Sequence, residues 1–445
     1  MNKNKDYLIT EKPSRALFAF ALPMIIGNLF QQAYTIVDSA IVGHYVGETA
    51  LAAVGASYAL TSIFICVAIG GGIGASVIIS RHFGGHAYSR MKTSIRTAML
   101  SFLLISLLLG GIGLCFSRQI MEALNTPADA MDIAVIYLNI YFYGLPFLFM
   151  YNILSSMFNA LGESRIPLYL LIFSSVLNIF LDLYMVATLH LGVAGAAYAT
   201  FIAQGISAVC SFLIFLHTLR RLDGKAETWF SKAEFSSMSR IALPSILQQS
   251  TVSIGMMLVQ SVVNGFGTQI LAGFSAGMRI ESLCVVPMAA IGNALSSYTA
   301  QNIGAEKHER ISLGYRTANI MVAITAIILC LFLELLHRPL IALFLDGAPS
   351  AQTVATGEGY LRFIGFFFCM IGFKMAVDGI LRGAGAVKVF TIANLVNLGL
   401  RVLIAKLGAP VYGIAMIWYA VPLGWLANFL ISYGYYRTGK WKQIK

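Results

Sequence analysis

The chain has 445 residues, of which 58% are hydrophobic and only 11% charged. A soluble domain carries about 25% charge, so this composition excludes an ordinary soluble enzyme or binding module. The net charge of +11 does not mark a nucleic-acid binder, because its Lys and Arg sit in short loops beside apolar runs and form no continuous basic stretch.

The first polar stretch, MNKNKDYLITEKPSR, has no cleavable-leader pattern and runs directly into apolar sequence. Apolar runs of about 20 residues, enough to cross the hydrocarbon core as helices, follow one another to the end. We place spans near 16–42, 51–79, 97–117, 133–158, 167–189, 193–217, 241–265, 271–299, 317–336, 357–380, 389–408 and 411–436. The expected fold is an all-α membrane protein of twelve transmembrane helices. Basic residues fall on alternate loops: Arg81, Arg90, Lys92 and Arg96 in one, Arg220, Arg221 and Lys225 in another, then Lys307, Arg310 and Arg316. Only Arg118 and Arg338 fall on the other side. The positive-inside rule then puts both termini in the cytoplasm of a multi-pass inner-membrane protein. The six cysteines lie in or beside apolar runs without a CxxC pair and read as packing residues.

The two halves repeat. Ala21-Leu22-Pro23 recurs as Ala242-Leu243-Pro244, 221 residues later; RHFGGHAYSR at 81–90 lies over QNIGAEKHER at 301–310, 220 later; NALGESR at 159–165 lies over RGAGAVK at 382–388, 223 later. Each half holds an even number of spans, so the repeat is parallel, related by a pseudo-two-fold axis along the membrane normal. The expected organisation is a six-helix lobe over 1–218, a cytoplasmic linker over 219–240 and a second six-helix lobe over 241–445.

A charged residue inside a span costs roughly 2.5–3.5 kcal/mol on insertion scales and marks function by default. Asp38 in YTIVDSAIVG and Asp182 in LNIFLDLYMV are such residues in the first half. Asn178 lies one turn before Asp182 on the same face, and Thr200 in the following span falls at similar depth. These oxygens suit Na+, and a carboxyl pair suits a carried proton. The competing reading of Asn178 and Thr200 is helix–helix hydrogen bonding. In the second half the equivalents are Gln260 and a position near Ala405, so the cluster is not duplicated. Asp378 and Arg382, four apart, are expected to pair. Aromatics crowd IYLNIYFYGLPFLFMYN at 136–152, where Tyr141, Phe147 and Tyr151 present faces for a flat cation. Gln31, Tyr34 and Met288 join them as candidate substrate contacts. Prolines 23, 146, 244, 287 and 422 fall inside spans and permit bends. No Walker A sequence, HExxH or nucleophile elbow is present, so neither ATP drive nor enzymatic catalysis is expected.

The ordered set of Pro23, QQAYTIVDSAIVGHYVG, LAAVG, GGHAYSRMK, NALGESRIP, NIFLDLYMV with GVAGAAYAT, and LRGAG resembles the multidrug and toxic compound extrusion (MATE) family, from about residue 14 to about 436. The acidic residues of the first half are most similar to its prokaryotic DinF-like and MepA-like subgroup. The resemblance implies an antiporter that exports amphipathic organic cations by alternating access, driven by inward H+ or Na+, needing no cofactor and working as a monomer. It also implies a first-lobe cation site at Asp38, Asp182, Asn178 and Thr200, with a further polar residue on the fourth span, for which Ser155 is the candidate. A flippase for a lipid-linked precursor is the alternative, kept open by the basic residues Arg279, Lys374 and Arg401.

Overall fold

The computed structural model describes residues 6–46, 48–124, 126–345 and 349–443, and its described residues form helices and turns without strands. A short helix, α1 (Tyr7–Thr10), precedes α2 (Pro13–Val46), α3 (Glu48–Gly84), α4 (Tyr88–Ala123), α5 (Ala128–Ala160) and α6 (Arg165–Asp182). A π-helical turn over Leu183–Thr188 extends α6, and α7 (Gly192–Arg220) completes the first half. The second half comprises α8 (Lys232–Asn264), α9 (Thr268–Gly304), α10 (His308–Ala342), α11 (Ala351–Gly365), α12 (Phe368–Gly383), α13 (Val387–Tyr412) and α14 (Ala415–Arg437). Among the described residues eleven helices are long and apolar enough to cross a membrane, and the pair α11 and α12, bent by 51°, brings the number to twelve. The span expected over 357–380 is thus two helices, broken just after Gly365, where a residue without a side chain weakens the helix. Most helices overrun their expected spans because apolar runs mark only the hydrocarbon depth.

The repeat reappears in backbone detail. His86 and Glu306, equivalent by the 220-residue offset, both adopt left-handed φ values, 55° and 57°. Such a conformation is uncommon outside glycine. Each closes its helix by the same bonds: Ala87 N–H to His82 O at 2.9 Å, and Lys307 N–H to Asn302 O at 2.8 Å. Gly162 and Gly385, 223 apart, terminate α5 and α12 with φ of 81° and 77°.

The chain divides into two compact units: a first unit, Ile26–Ile246, and a second unit, Met1–Ile25 with Leu247–Lys445. These bounds differ from the 1–218, 219–240 and 241–445 organisation of the sequence. Both divisions fall inside a helix, in α2 two residues after Pro23 and in α8 two residues after Pro244. The start of each half is tied down by side chains within its unit. Arg310 donates to Leu8 O at 3.3 Å and also to Glu11 O, while Lys307 donates to Ile9 O at 3.0 Å. The 219–240 segment is likewise docked rather than free. Lys92 donates to Leu222 O and Gly224 O, Thr93 and Thr97 hydroxyls accept from Glu227 and Ser231 N–H, and the Arg96 guanidinium covers the Trp229 ring at 4.7 Å. At its end Glu234 gathers His82 at 3.0 Å, Arg90 at 3.1 Å and Ser94 at 2.8 Å.

Glycines let helices of the second unit touch backbone to backbone. A Cβ at Gly379 would lie 2.3 Å from Gly292 O, so the α9–α12 crossing has no room for one methyl. Gly379→Ala is expected to lower the thermal stability of the detergent-purified protein by about 2 kcal/mol. An unshifted melting curve would show that this crossing can spread at no cost.

Candidate functional site

The polar cluster lies in the first unit and is assembled by α2, α5, α6 and α7. Asp38 is four residues after Tyr34, so both project from one face of α2. Asn178 and Asp182 stand one turn apart at the end of α6, with 2% and 0% exposure. Asp182 is the last α-helical residue before the π-helical turn, a local widening that frequently marks functional positions. No turn chemistry in the sequence announces that widening.

The Asp38 and Asp182 carboxyl groups are within hydrogen-bonding reach of each other. The Asn178 amide joins the helices. With Nδ2 turned inward it donates to Asp182 Oδ2 at 2.9 Å and to the Tyr34 hydroxyl at 2.6 Å, and its oxygen accepts from Thr200 N–H at 3.0 Å. The opposite orientation, with Tyr34 donating to Asn178 Oδ1 and Nδ2 donating to Thr200 Oγ1 at 3.3 Å, leaves Asp182 without that donor. We adopt the first, because amide orientation follows from the network and a buried carboxyl needs its donor. Asp38 Oδ1 and Asp182 Oδ1 remain buried without a hydrogen-bond partner.

Asp38, Asp182, Asn178 and Thr200 thus come together, and Tyr34 joins this cluster. Tyr137 of α5 stands in the electrostatic field of both carboxyl groups. Ser155, on the same helix, is 18 residues further along, about 27 Å at 1.5 Å per residue, and lies outside the site. Tyr137 stood out in the sequence only as one of many aromatics. Among the described residues no group of three His, Cys, Asp or Glu is arranged to hold a metal ion.

The candidate substrate contacts scatter. Tyr141 lines a void of only about 20 Å³ with Tyr137, Thr200 and Gln204 and donates to Thr61 O at 3.3 Å. Phe147 packs edge-on against Phe201 at 5.6 Å. Tyr151 is half-buried on α5, and Gln31 is exposed on α2. Met288 is wholly buried in the core of the second unit, against Gly372, and is not a surface for substrate. The first unit does contain an apolar cavity of about 390 Å³, lined by Val67, Phe102, Phe149, Met238, Leu243 and their neighbours. That volume suits a small organic molecule. None of the five first-unit candidates lines it.

In the second unit the repeat-equivalent Gln260 donates to Ser275 Oγ at 3.0 Å, and Ala405 is buried, so no carboxyl cluster recurs there. Asp378 pairs with Lys374 at 3.0 Å rather than with Arg382. Both separations are four residues, and packing decides between them: Arg382 is drawn to Asn293 Oδ1 at 2.6 Å and to Ser296 Oγ at 3.3 Å on α9. Asn394, Asn428 and Ser432 complete the network around the ion pair.

The family model MatE matches residues 23–184 and again 244–407, one copy in each half. The chain belongs to the MatE family. Members of the MATE family are transporters rather than enzymes, and the chain is a multi-pass membrane transporter. It is 30% identical to the probable multidrug resistance protein YpnP of Bacillus subtilis (strain 168), over 97% of this chain and 96% of that one. It is 26% identical to the probable multidrug resistance protein YoeA of the same organism, over 100% and 99%. A solved structure described as the outward-facing conformation of a multidrug resistance MATE family transporter superposes with a TM-score of 0.90 at 23% identity, covering all of both chains. The likeness confirms the two-lobe MATE fold.

Proposed function

We propose that this MATE transporter is a secondary multidrug exporter in the cell inner membrane, acting as a monomer with both termini in the cytoplasm. It exchanges amphipathic organic cations for an inward-moving H+ or Na+. The carboxyl contact between Asp38 and Asp182 carries the reading and favours H+. Two carboxylates so close cannot both stay charged, so a proton or a cation must accompany them. The inward-turned Asn178 amide offers N–H groups to Asp182 and Tyr34, which suits a shared proton better than a bound Na+.

Loading the pair removes buried negative charge and relaxes the demand on Asn178 and Tyr34. The ion can drive transport only if it binds one conformation better than the other. Asp38 lies on α2 beyond Pro23, so its charge state bears on a helix already weakened at a defined point. One charge crossing 100 mV yields about 2.3 kcal/mol, enough for a drug gradient of roughly fifty-fold. The relatives' multidrug resistance names favour drug export over flipping of a lipid-linked precursor.

The test is efflux of a cationic dye from proteoliposomes without ATP, under an imposed pH gradient and separately under an imposed Na+ gradient. Efflux driven by the pH gradient is expected. Efflux driven by Na+ alone would overturn the choice of ion, and efflux that needs ATP with neither gradient present would overturn secondary transport.

A further inference from the structure

The second unit contains a cavity of about 170 Å³ whose wall includes Glu281, Lys374, Asn394, Asn397, Arg401 and Trp425. Its charges are unequally satisfied. Lys374 is held by Asp378 at 3.0 Å and donates to Asn394 Oδ1 at 3.2 Å. Glu281 accepts from the Tyr360 hydroxyl. Arg401 lies in the electrostatic field of Glu281 but among the described residues is held by no hydrogen bond of this kind. Its Nε is buried without a hydrogen bond. It sits in the interior of α13, a membrane-spanning helix.

An arginine in a span costs roughly 2.5–3.5 kcal/mol even on the mildest scale and is normally paired. Its planar fork matches the two oxygens of a carboxylate or phosphate. We propose that this cavity is a binding subsite for the acidic head, carboxylate or phosphate, of an amphipathic compound, with Arg401 as the anchoring charge. Its volume is that of about five or six waters at ~30 Å³ each, room for a head group but not for a whole drug-sized molecule of some 300–1,000 Å³. Trp425, Val285 and Leu398 supply an apolar wall for the first part of the tail. The cargo range would then extend from cations to compounds that carry an acid. The inference does not rest on the ion-coupling role of Asp38.

Glu281 gives the proposal a signed test, because it opposes an incoming anion from the same wall. Full-length protein in phosphatidylcholine nanodiscs would be titrated with 4-phenylbutyrate and with the uncharged 4-phenylbutyramide, followed by calorimetry and tryptophan fluorescence. The acid should bind and the amide should not. Arg401→Gln should weaken acid binding about tenfold or more, the value of a charge-assisted hydrogen bond. Arg401→Lys should keep part of it, and Glu281→Gln should tighten it. Repeating the titration in phosphatidylglycerol nanodiscs separates the sources: lost affinity identifies an anionic lipid head group as the occupant, and retained affinity identifies a free acid. An amide that binds as tightly as the acid would overturn the proposal. So would acid affinity that is the same in the parent protein and in Glu281→Gln, a result that stands even if Arg401→Gln does not fold.

Discussion

Asp38→Asn is expected to reduce gradient-driven dye efflux to background while the protein stays folded and inserted. The amide has the shape of the protonated carboxyl group and cannot cycle between charged and neutral forms. Its carboxyl neighbour Asp182 then loses the partner with which it would share a proton. Asp182→Asn should have the same effect, although it also removes the acceptor of the Asn178 amide at 2.9 Å. Tyr34→Phe removes one hydroxyl from the same network, a change worth about 1 kcal/mol, and should slow efflux about fivefold without abolishing it. The measurement is initial efflux rate at matched protein density, with binding of the dye recorded separately. Asp38→Asn protein that pumps at the parent rate would remove the carboxyl pair from the mechanism.

The second large effect concerns stability. Asp378→Asn is expected to destabilise the protein by about 3–5 kcal/mol, the cost of leaving a buried charge uncompensated. Lys374 and Asp378 are only 5% and 3% exposed, with their charged atoms 3.0 Å apart. Ser432 also donates to Asp378 at 2.8 Å. The double change Lys374→Met with Asp378→Leu should recover most of the loss, because it removes both charges together. Arg382→Gln should be milder, since its hydrogen-bond partners Asn293 and Ser296 are neutral and Asp378 keeps its closer partner Lys374. Thermal denaturation of the purified variants checks this. If Asp378→Asn melted with the parent, the ion pair would not be what secures α12. The two experiments also keep transport and folding apart: Asp38→Asn should be stable and inactive, whereas inactivity in Asp378→Asn should follow its instability.

The order of helices, the repeat and the first-unit acid cluster were legible because each has a strong one-dimensional signal. Apolar runs of membrane length give the spans, constant offsets give the repeat, and a lone carboxyl in an apolar run is conspicuous. Asp38, Asn178, Asp182 and Thr200 could be grouped because depth follows from counting residues along a helix. What counting does not supply is rotation and packing. Ser155 is polar and lies on the right helix, but its distance along α5 separates it from Tyr137. Met288 looked like an adaptable contact, yet it fills space beside Gly372 in the core. Asp378 had Lys374 and Arg382 at equal separation on either side, and only the positions of Asn293 and Ser296 on another helix decide between them. The break after Gly365 leaves no mark in the hydropathy, because the apolar run continues straight through it.

The divisions within α2 and α8 bear on how such a chain can be cut. The opening arm of the polypeptide buries Leu8, Leu17 and Phe20 in a core otherwise built from residues beyond 246, and the arm that begins the second half buries Met238, Ile241 and Ser245 with the first. The halves have traded arms, as protomers do in a swapped dimer whose ends were later fused. A gene severed in the loop between Arg220 and Lys232 would encode two pieces, neither of which can complete its own core. Each piece alone should be cleared by the cell, and the two produced together should complement each other in trans.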